Sequence, residues 1–233
     1  MALPKLDTPI IRGQVASDGR EVKFTPFKVK EEKILMLASE GGEFGEMVDA
    51  CAQVVNNCVQ DEGFDAYDLP MFDLQDLFLQ IRNQSQGAET EFRLICGNPE
   101  CKKSINYTMD LKDFKITGLE DRPDNFVKIS ETMGVSLRYP TARLGKLVET
   151  LNDAELVAKC IDYVVDGEEQ YSIKDETEEE VTSFVNDLPI DTFNEIRDFF
   201  DRMPVLEHEI EYTCAHCERD NRIKINGYEH FFG

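Results

Sequence analysis

EFRLICGNPECKKSINY, residues 91–107, alternates apolar and polar side chains on both sides of a pair of cysteines. The same arrangement recurs in EIEYTCAHCERDNRIKINGY, residues 209–228. Alternation with period two on both sides of a short loop predicts a β-hairpin. The chain is therefore predicted to build one kind of cysteine-bearing hairpin, a knuckle, twice. The four cysteines involved are Cys96, Cys101, Cys214 and Cys217.

Four thiolates brought together from two knuckles make a tetrahedral sulfur cage, which suits a structural Zn²⁺. The CxxC spacing at Cys214 and Cys217 is a strong half-motif, whereas the four residues between Cys96 and Cys101 lie at the loose end of the usual range. Two alternatives stay open, namely four reduced thiols and a redox-active CxxC. A redox CxxC normally opens a helix, but the residues after Cys217 alternate like a strand, so the sequence favours zinc. His216, inside CAHC, is a less favoured ligand and is expected at an exposed loop tip.

Basic residues accompany both cysteine pairs. Lys102 and Lys103 follow the first pair, and Arg219 and Arg222 follow the second. Because zinc with four thiolates carries a formal charge near −2, these cations are expected to compensate it locally. The zinc would also join the ends of the long stretch 102–213, which would restrict the unfolded chain as a covalent cross-link does.

The other three of the seven cysteines are expected to be packing residues. Cys51 and Cys58 lie seven apart on a predicted helix face, and Cys160 lies in the apolar run LVAKCIDYVV. An odd cysteine count and the absence of an apolar leader in MALPKLDTPIIRG favour a reduced, cytosolic protein. No apolar run approaches the length needed to span a membrane, so we expect no membrane association.

The charge balance bears on partners. Forty-seven acidic residues against 25 basic ones give a formal net charge of −22 and a pI near 4.5. Such a surface repels phosphate backbones, which disfavours nucleic acid as a partner. The acidic run DETEEE, residues 175–180, is typical of a solvated helix start.

The pattern along the chain predicts an α+β fold with a largely helical body, a small antiparallel zinc-knuckle module and an extended N-terminal arm. Apolar spacing predicts three helices in the second segment and helix throughout 143–203, with Asp153 as a helix cap. The predicted segments are an extended arm or small sheet at 1–30, a helical segment at 31–88, the zinc-knuckle module at 89–118 and 205–233, and a strand plus helical insert at 119–204.

Several blocks resemble a known family. PFKVKEEKILMLA at 26–38, FDLQDLFLQIRNQSQG at 72–87, GVSLRYPT at 134–141 and the two cysteine hairpins are similar, in the same order, to the T4-like bacteriophage baseplate proteins. The resemblance implies a hub subunit or hub assembly chaperone of a contractile-tail phage. It also implies that the partners are other baseplate or hub proteins, and that the protein acts in the host cytoplasm during assembly or in the tail baseplate of the virion.

The sequence carries no catalytic motif, since GxSxG, HExxH and the P-loop are all missing. A zinc held by four cysteines also lacks the open coordination position of catalytic zinc. We therefore expect a non-enzymatic protein. The alternative is a zinc-ribbon regulator that binds polymerase or nucleic acid, and the acidity argues against its nucleic-acid form. Nothing in the sequence indicates the oligomeric state.

Overall fold

The computed structural model describes residues 7–147 and 150–227, and within them the fold is α+β, as predicted. Six α-helices and several small antiparallel sheets surround two apolar cores. Among the helices in that part of the chain, none combines the length and apolarity needed to cross a membrane. The segment boundaries predicted from the sequence stay predictions.

Three helices build one side of the first core and confirm the predicted helical stretch. Nine of the 15 residues of helix α2 are buried, and Cys51 and Cys58 are among them, as expected. Helix α1 is capped by Gly42, whose φ of 70° allows the sharp reversal into α2. The helices are α1 (Val29–Gly41), α2 (Phe44–Cys58) and α3 (Met71–Gln86).

The N-terminal region forms a small sheet rather than a free extended arm. Strands β1 (Ile11–Gln14) and β2 (Glu21–Phe24) pair antiparallel. Val15, Val22 and Phe24 are buried in the first core, because the alternating residues of EVKF place one face inward. The described part of the predicted arm is thus part of the body of the protein, while residues 1–6 lie outside the described residues.

Both predicted cysteine hairpins are present. One is formed by β3 and β4, and the other by β10 and β11, which β5 extends into a three-stranded sheet. Their inward residues, including Phe92, Leu94, Ile210 and Ile225, join the first core. The cysteine loops therefore lie at the ends of two hairpins that pack on the first core. The strands are β3 (Glu89–Ile95), β4 (Ser104–Asp110), β5 (Lys115–Thr117), β10 (Val205–Thr213) and β11 (Asp220–Asn226).

The second core corrects the prediction of continuous helix over 143–203. It contains a four-stranded antiparallel sheet in the order β6-β7-β8-β9, covered by three helices. The run IDYVVD forms β8, because its branched and aromatic residues suit a strand. The elements are β6 (Phe126–Lys128), β7 (Met133–Leu137), α4 (Asp153–Cys160), β8 (Ile161–Asp166), β9 (Glu169–Ser172), α5 (Glu178–Asn186) and α6 (Ile190–Asp201).

Two local predictions in this region also need correction. The helix expected at 143–151 is a short 3-10 turn, Ala142–Leu144, followed by turns up to residue 147. Residues 148 and 149 lie outside the described residues. The N-cap of α4 is Asn152 rather than Asp153, since the Asn152 side chain accepts a hydrogen bond from the Glu155 N–H at 3.0 Å.

An aromatic series joins the two cores. The ring of Tyr139 lies 5.0 Å from that of Phe199 in α6, stacked nearly parallel to it. On its other side Tyr139 meets Phe72 of α3 edge-on, with ring centroids 5.4 Å apart. Tyr139 therefore contacts both helix α3, which packs on the first core, and Phe199 of the second core. This boundary between the two cores is called the seam below.

Candidate metal centre

The two cysteine loops close in the same way at their bases. In the first hairpin the last strand pair is Ile95 opposite Ser104, and the Cys96 N–H donates to the carbonyl of Lys103 at 2.9 Å. In the second, the Cys214 N–H donates to the carbonyl of Arg219 at 2.8 Å. Each first cysteine therefore continues the strand ladder by one hydrogen bond, which fixes its side chain relative to the sheet.

Each second cysteine is followed by a residue with left-handed backbone. Lys102 has a φ of 47° and Glu218 a φ of 59°, and among the described residues no other non-glycine has positive φ. This left-handed conformation turns the chain sharply after Cys101 and after Cys217. Neither position is a glycine, so the sequence carries no signal for these turns.

The four sulfur atoms come together from the two hairpins. Cys96 Sγ lies 3.6 Å from Cys217 Sγ, and Cys101 Sγ lies 3.9 Å from Cys214 Sγ. All four sulfurs lie within 4.8 Å of one another. A tetrahedron with Zn–S bonds of about 2.3 Å has edges of about 3.8 Å, so these separations suit one metal ion. They are far longer than the roughly 2.05 Å of a disulfide.

The surroundings of the cluster agree with the expectation for His216 but not with the one for Arg222. His216 is exposed and does not belong to the cluster. Arg222, expected to compensate the thiolates, instead pairs with Glu209, its Nη2 lying 2.6 Å from Oε2. Its Nε also lies 3.5 Å from Glu211. Lys102, Lys103 and Arg219 remain the cations next to the cysteines in sequence.

Backbone N–H groups face the sulfurs of the second cysteines. The Arg219 N–H holds the pKa of Cys217 at about 7 against the opposing effect of desolvation. The Lys103 N–H acts in the same direction on Cys101, but desolvation and the neighbouring thiols outweigh it. The pKa of Cys101 is therefore raised to about 11. The neighbouring thiols raise the pKa of Cys101 but lower that of Cys217, because their S–H groups stabilise the Cys217 thiolate. Adjacent thiolates repel one another, and a bound cation would offset that repulsion.

Asn221 connects the two knuckles and was not singled out from the sequence. Its Oδ1 accepts a hydrogen bond from the Gly97 N–H at 2.9 Å, and its Nδ2 donates to the Arg219 carbonyl at 2.8 Å. The same Oδ1 lies 3.7 Å from Cys96 Sγ. Asn221 is buried on the inner face of β11, on the same side as Ile225. The alternation of the strand could therefore have predicted that the Asn221 side chain points inward.

A second contact between the hairpins comes from Tyr212. Its hydroxyl donates to the carbonyl of Ile95 at 3.0 Å, just before the first cysteine. Desolvation and the nearby thiol groups raise the pKa of Tyr212, so it remains a neutral donor. Asn221 and Tyr212 thus connect the two knuckles through hydrogen bonds.

The remaining cysteines behave as expected from the sequence. Cys51, Cys58 and Cys160 are buried, and none belongs to the sulfur cluster. Burial raises the pKa of Cys160 to about 12 and that of Cys51 well above its usual range. These thiols therefore stay protonated and fill space in the two cores.

The four-sulfur arrangement can hold a soft or borderline metal, and it would use all four positions of a tetrahedral ion. Such a site clamps the chain, because Cys101 and Cys214 are 113 residues apart. The corresponding loop-closure effect for a covalent link of about 100 residues is on the order of 4.7 kcal/mol. A metal ion held by all four sulfurs would therefore act as a structural cross-link.

Comparison with known proteins gives one family. The model of the family described as T4 bacteriophage base plate protein matches residues 8–233. No curated protein and no solved structure matches the chain. The matched range includes both knuckles, the seam and both cores. Because it spans nearly the whole sequence, the chain belongs to the T4 bacteriophage base plate protein family.

Proposed function

We propose that this phage baseplate protein is a non-enzymatic hub subunit or hub assembly chaperone that binds other baseplate proteins. The observation that carries the proposal is the family match over residues 8–233. The hub role is what the resemblance of the blocks at 26–38, 72–87 and 134–141 implies.

The second part of the proposal is that Cys96, Cys101, Cys214 and Cys217 bind one structural Zn²⁺. The sulfur separations suit zinc, and thiolates are its preferred ligands in closed structural sites. Four protein ligands leave no position for substrate or water, which supports a structural rather than a catalytic role. The net charge of −22 supports protein rather than nucleic acid as the partner.

Zinc content is tested by native mass spectrometry and elemental analysis of protein purified without chelator. We expect close to one zinc per chain, and loss of that zinc in the Cys214→Ala variant with retention in Cys160→Ala. Less than about a tenth of an equivalent in the wild type would contradict a zinc site of the strength typical of structural cysteine ligands.

The hub role is tested by co-expressing the full chain with the other baseplate proteins of the same phage. We expect a stable complex with at least one of them. Mass spectrometry of purified virions then separates the two forms of the proposal, because a subunit is present in the finished particle and a chaperone is not. Duplex DNA binding at about 0.15 M salt, with no baseplate protein recovered, would favour the zinc-ribbon alternative.

A further inference from the structure

A cleft of about 1270 Å³ opens where the two cores meet. One wall comes from the first core and includes Pro70. The other comes from the second core and includes Leu137 and Phe199. Because the cleft lies on the seam between two packed units, it has the position in which binding sites are commonly found.

The charge lining this cleft is opposite to that of the chain. Only three acidic side chains line it, Asp68, Asp124 and Asp162, whereas five basic ones do. The whole chain has 25 basic residues against 47 acidic ones. The five cations come from separate segments of the chain, so only the fold brings them together. They are Arg122, Arg138, Arg143, Lys159 and Lys174.

Two of the five cations already have carboxylate partners. Arg143 binds Asp65 and Asp68, with N–O distances of 2.6 and 2.7 Å. Lys159 pairs with Glu178. These pairs fix the shape of the cleft but leave little of their charge for a ligand.

The other three cations have no ion-pair partner among residues 7–147 and 150–227. The Arg138 side chain donates to the carbonyl of Lys159, at 3.1 Å. Arg122 lies 3.4 Å from the carbonyl of Ser17. Both side chains, like that of Lys174, are exposed. Asp124 and Asp162 offset part of this charge, but the lining stays net positive, which favours an anionic ligand.

The floor of the cleft is apolar. Tyr139, stacked on Phe199, lies beside Leu137 and Leu144. At about 1270 Å³ the cleft exceeds the range of roughly 300–1,000 Å³ typical of small-molecule pockets. A ligand that fills it needs carboxylates to meet the arginines and apolar side chains to cover the floor, which together describe a polypeptide segment.

We propose that this cleft binds an acidic segment of another baseplate protein, whose carboxylates pair with Arg122, Arg138 and Lys174. The inference rests on the proposed function, because it names the surface through which that partner is bound. A nucleic acid could also meet the cations, but the surrounding surface, with its net charge of −22, repels a polyanion that extends beyond the cleft.

The test compares two triple variants with the same change in net charge. The cleft variant carries Arg122→Glu, Arg138→Glu and Lys174→Glu. The control carries Arg93→Glu, Lys33→Glu and Lys112→Glu, which change exposed residues that do not line the cleft. We expect the cleft variant to bind the co-expressed baseplate partner at least about tenfold more weakly, and the control to stay within about twofold. Thermal unfolding of both variants checks that the fold is intact.

Cross-linking gives a second readout that does not depend on substitutions. A zero-length carbodiimide joins lysine amines to carboxylates, so in the wild-type complex it should link Lys159 or Lys174 to Asp or Glu of the partner. If both variants bind the partner equally and the cross-links lie elsewhere, the cleft is not the binding site, whereas the proposed hub role is unaffected. Recovery of no baseplate partner would overturn both. If duplex DNA binds the wild type but not the cleft variant, the ligand of the cleft is a nucleic acid and the proposal of an acidic polypeptide is wrong.

Discussion

The two knuckles differ in loop length yet end in the same turn. In the second knuckle the Glu218 N–H donates to the carbonyl of Cys214 at 2.9 Å, and Glu218 is left-handed. In the first, the Lys102 N–H donates to the carbonyl of Asn98 at 3.0 Å, and Lys102 is left-handed. Asn98 therefore occupies the position that Cys214 occupies in the second knuckle.

The extra length of the first knuckle lies before this shared turn. The Asn98 N–H donates to Cys96 Sγ at 3.4 Å, so the added residues fold back on the first cysteine. The Gly97 N–H is taken up by Asn221 of the other knuckle. The longer loop is thus held by a residue of β11, a strand of the other knuckle. The two cysteine pairs differ in spacing but share the turn that follows the second cysteine.

The largest expected effect comes from removing one sulfur from either knuckle. If both hairpins serve one metal, Cys101→Ala and Cys217→Ala should each abolish zinc binding and lower the free energy of unfolding by about 3–5 kcal/mol. Cys160→Ala, a buried cysteine outside the cluster, should cost only about 1 kcal/mol. Denaturant unfolding with zinc analysis measures this. A knuckle variant that keeps its zinc and its stability would show that the hairpins do not share an ion.

The two hairpins could be predicted from the sequence because the cysteine spacing and the strand alternation indicate the same loops. Both the spacing and the alternation locate each cysteine loop. The preference of a metal for four thiolates then indicates that the two loops meet. The helices α1 to α3 were predictable for a similar reason, since their apolar spacing continues over several turns.

The sheet of the second core was missed because its signal is short. LVAKCIDYVV suits the end of a buried helix as well as a helix followed by a strand, and α4 in fact ends at Cys160. The Asp166–Gly167 pair, followed by EEQY, was the available hairpin signal, and Gly167 has a φ of 62° in the two-residue turn before Glu169. The turns at Lys102 and Glu218 had no such signal, because neither residue is a glycine.

Replacing Asn221 should weaken the first knuckle more than the second. Asn221→Ala leaves the Gly97 N–H and the Arg219 carbonyl without their side-chain partner, at a cost of about 1–3 kcal/mol. Asn106→Ala, in an exposed position of the first hairpin, should have little effect. Hydrogen exchange should show faster exchange at Gly97 than at Cys214. Uniformly faster exchange in both loops would contradict an Asn221 contribution specific to the longer loop.

The smallest effect should come from the shared turn, and it should be stabilising. Lys102→Gly and Glu218→Gly each relieve a left-handed conformation that a side chain disfavours, a gain partly offset by the greater freedom of glycine in the unfolded chain. We expect each to raise the free energy of unfolding by about 0.5–1 kcal/mol, because the turn is the same in both knuckles. Lys103→Gly, next to the turn but without positive φ, should instead lower it by a similar amount. Denaturant unfolding in the presence of zinc measures all three. A gain at one turn and a loss at the other would mean that the knuckles share a backbone shape but not the strain that comes with it.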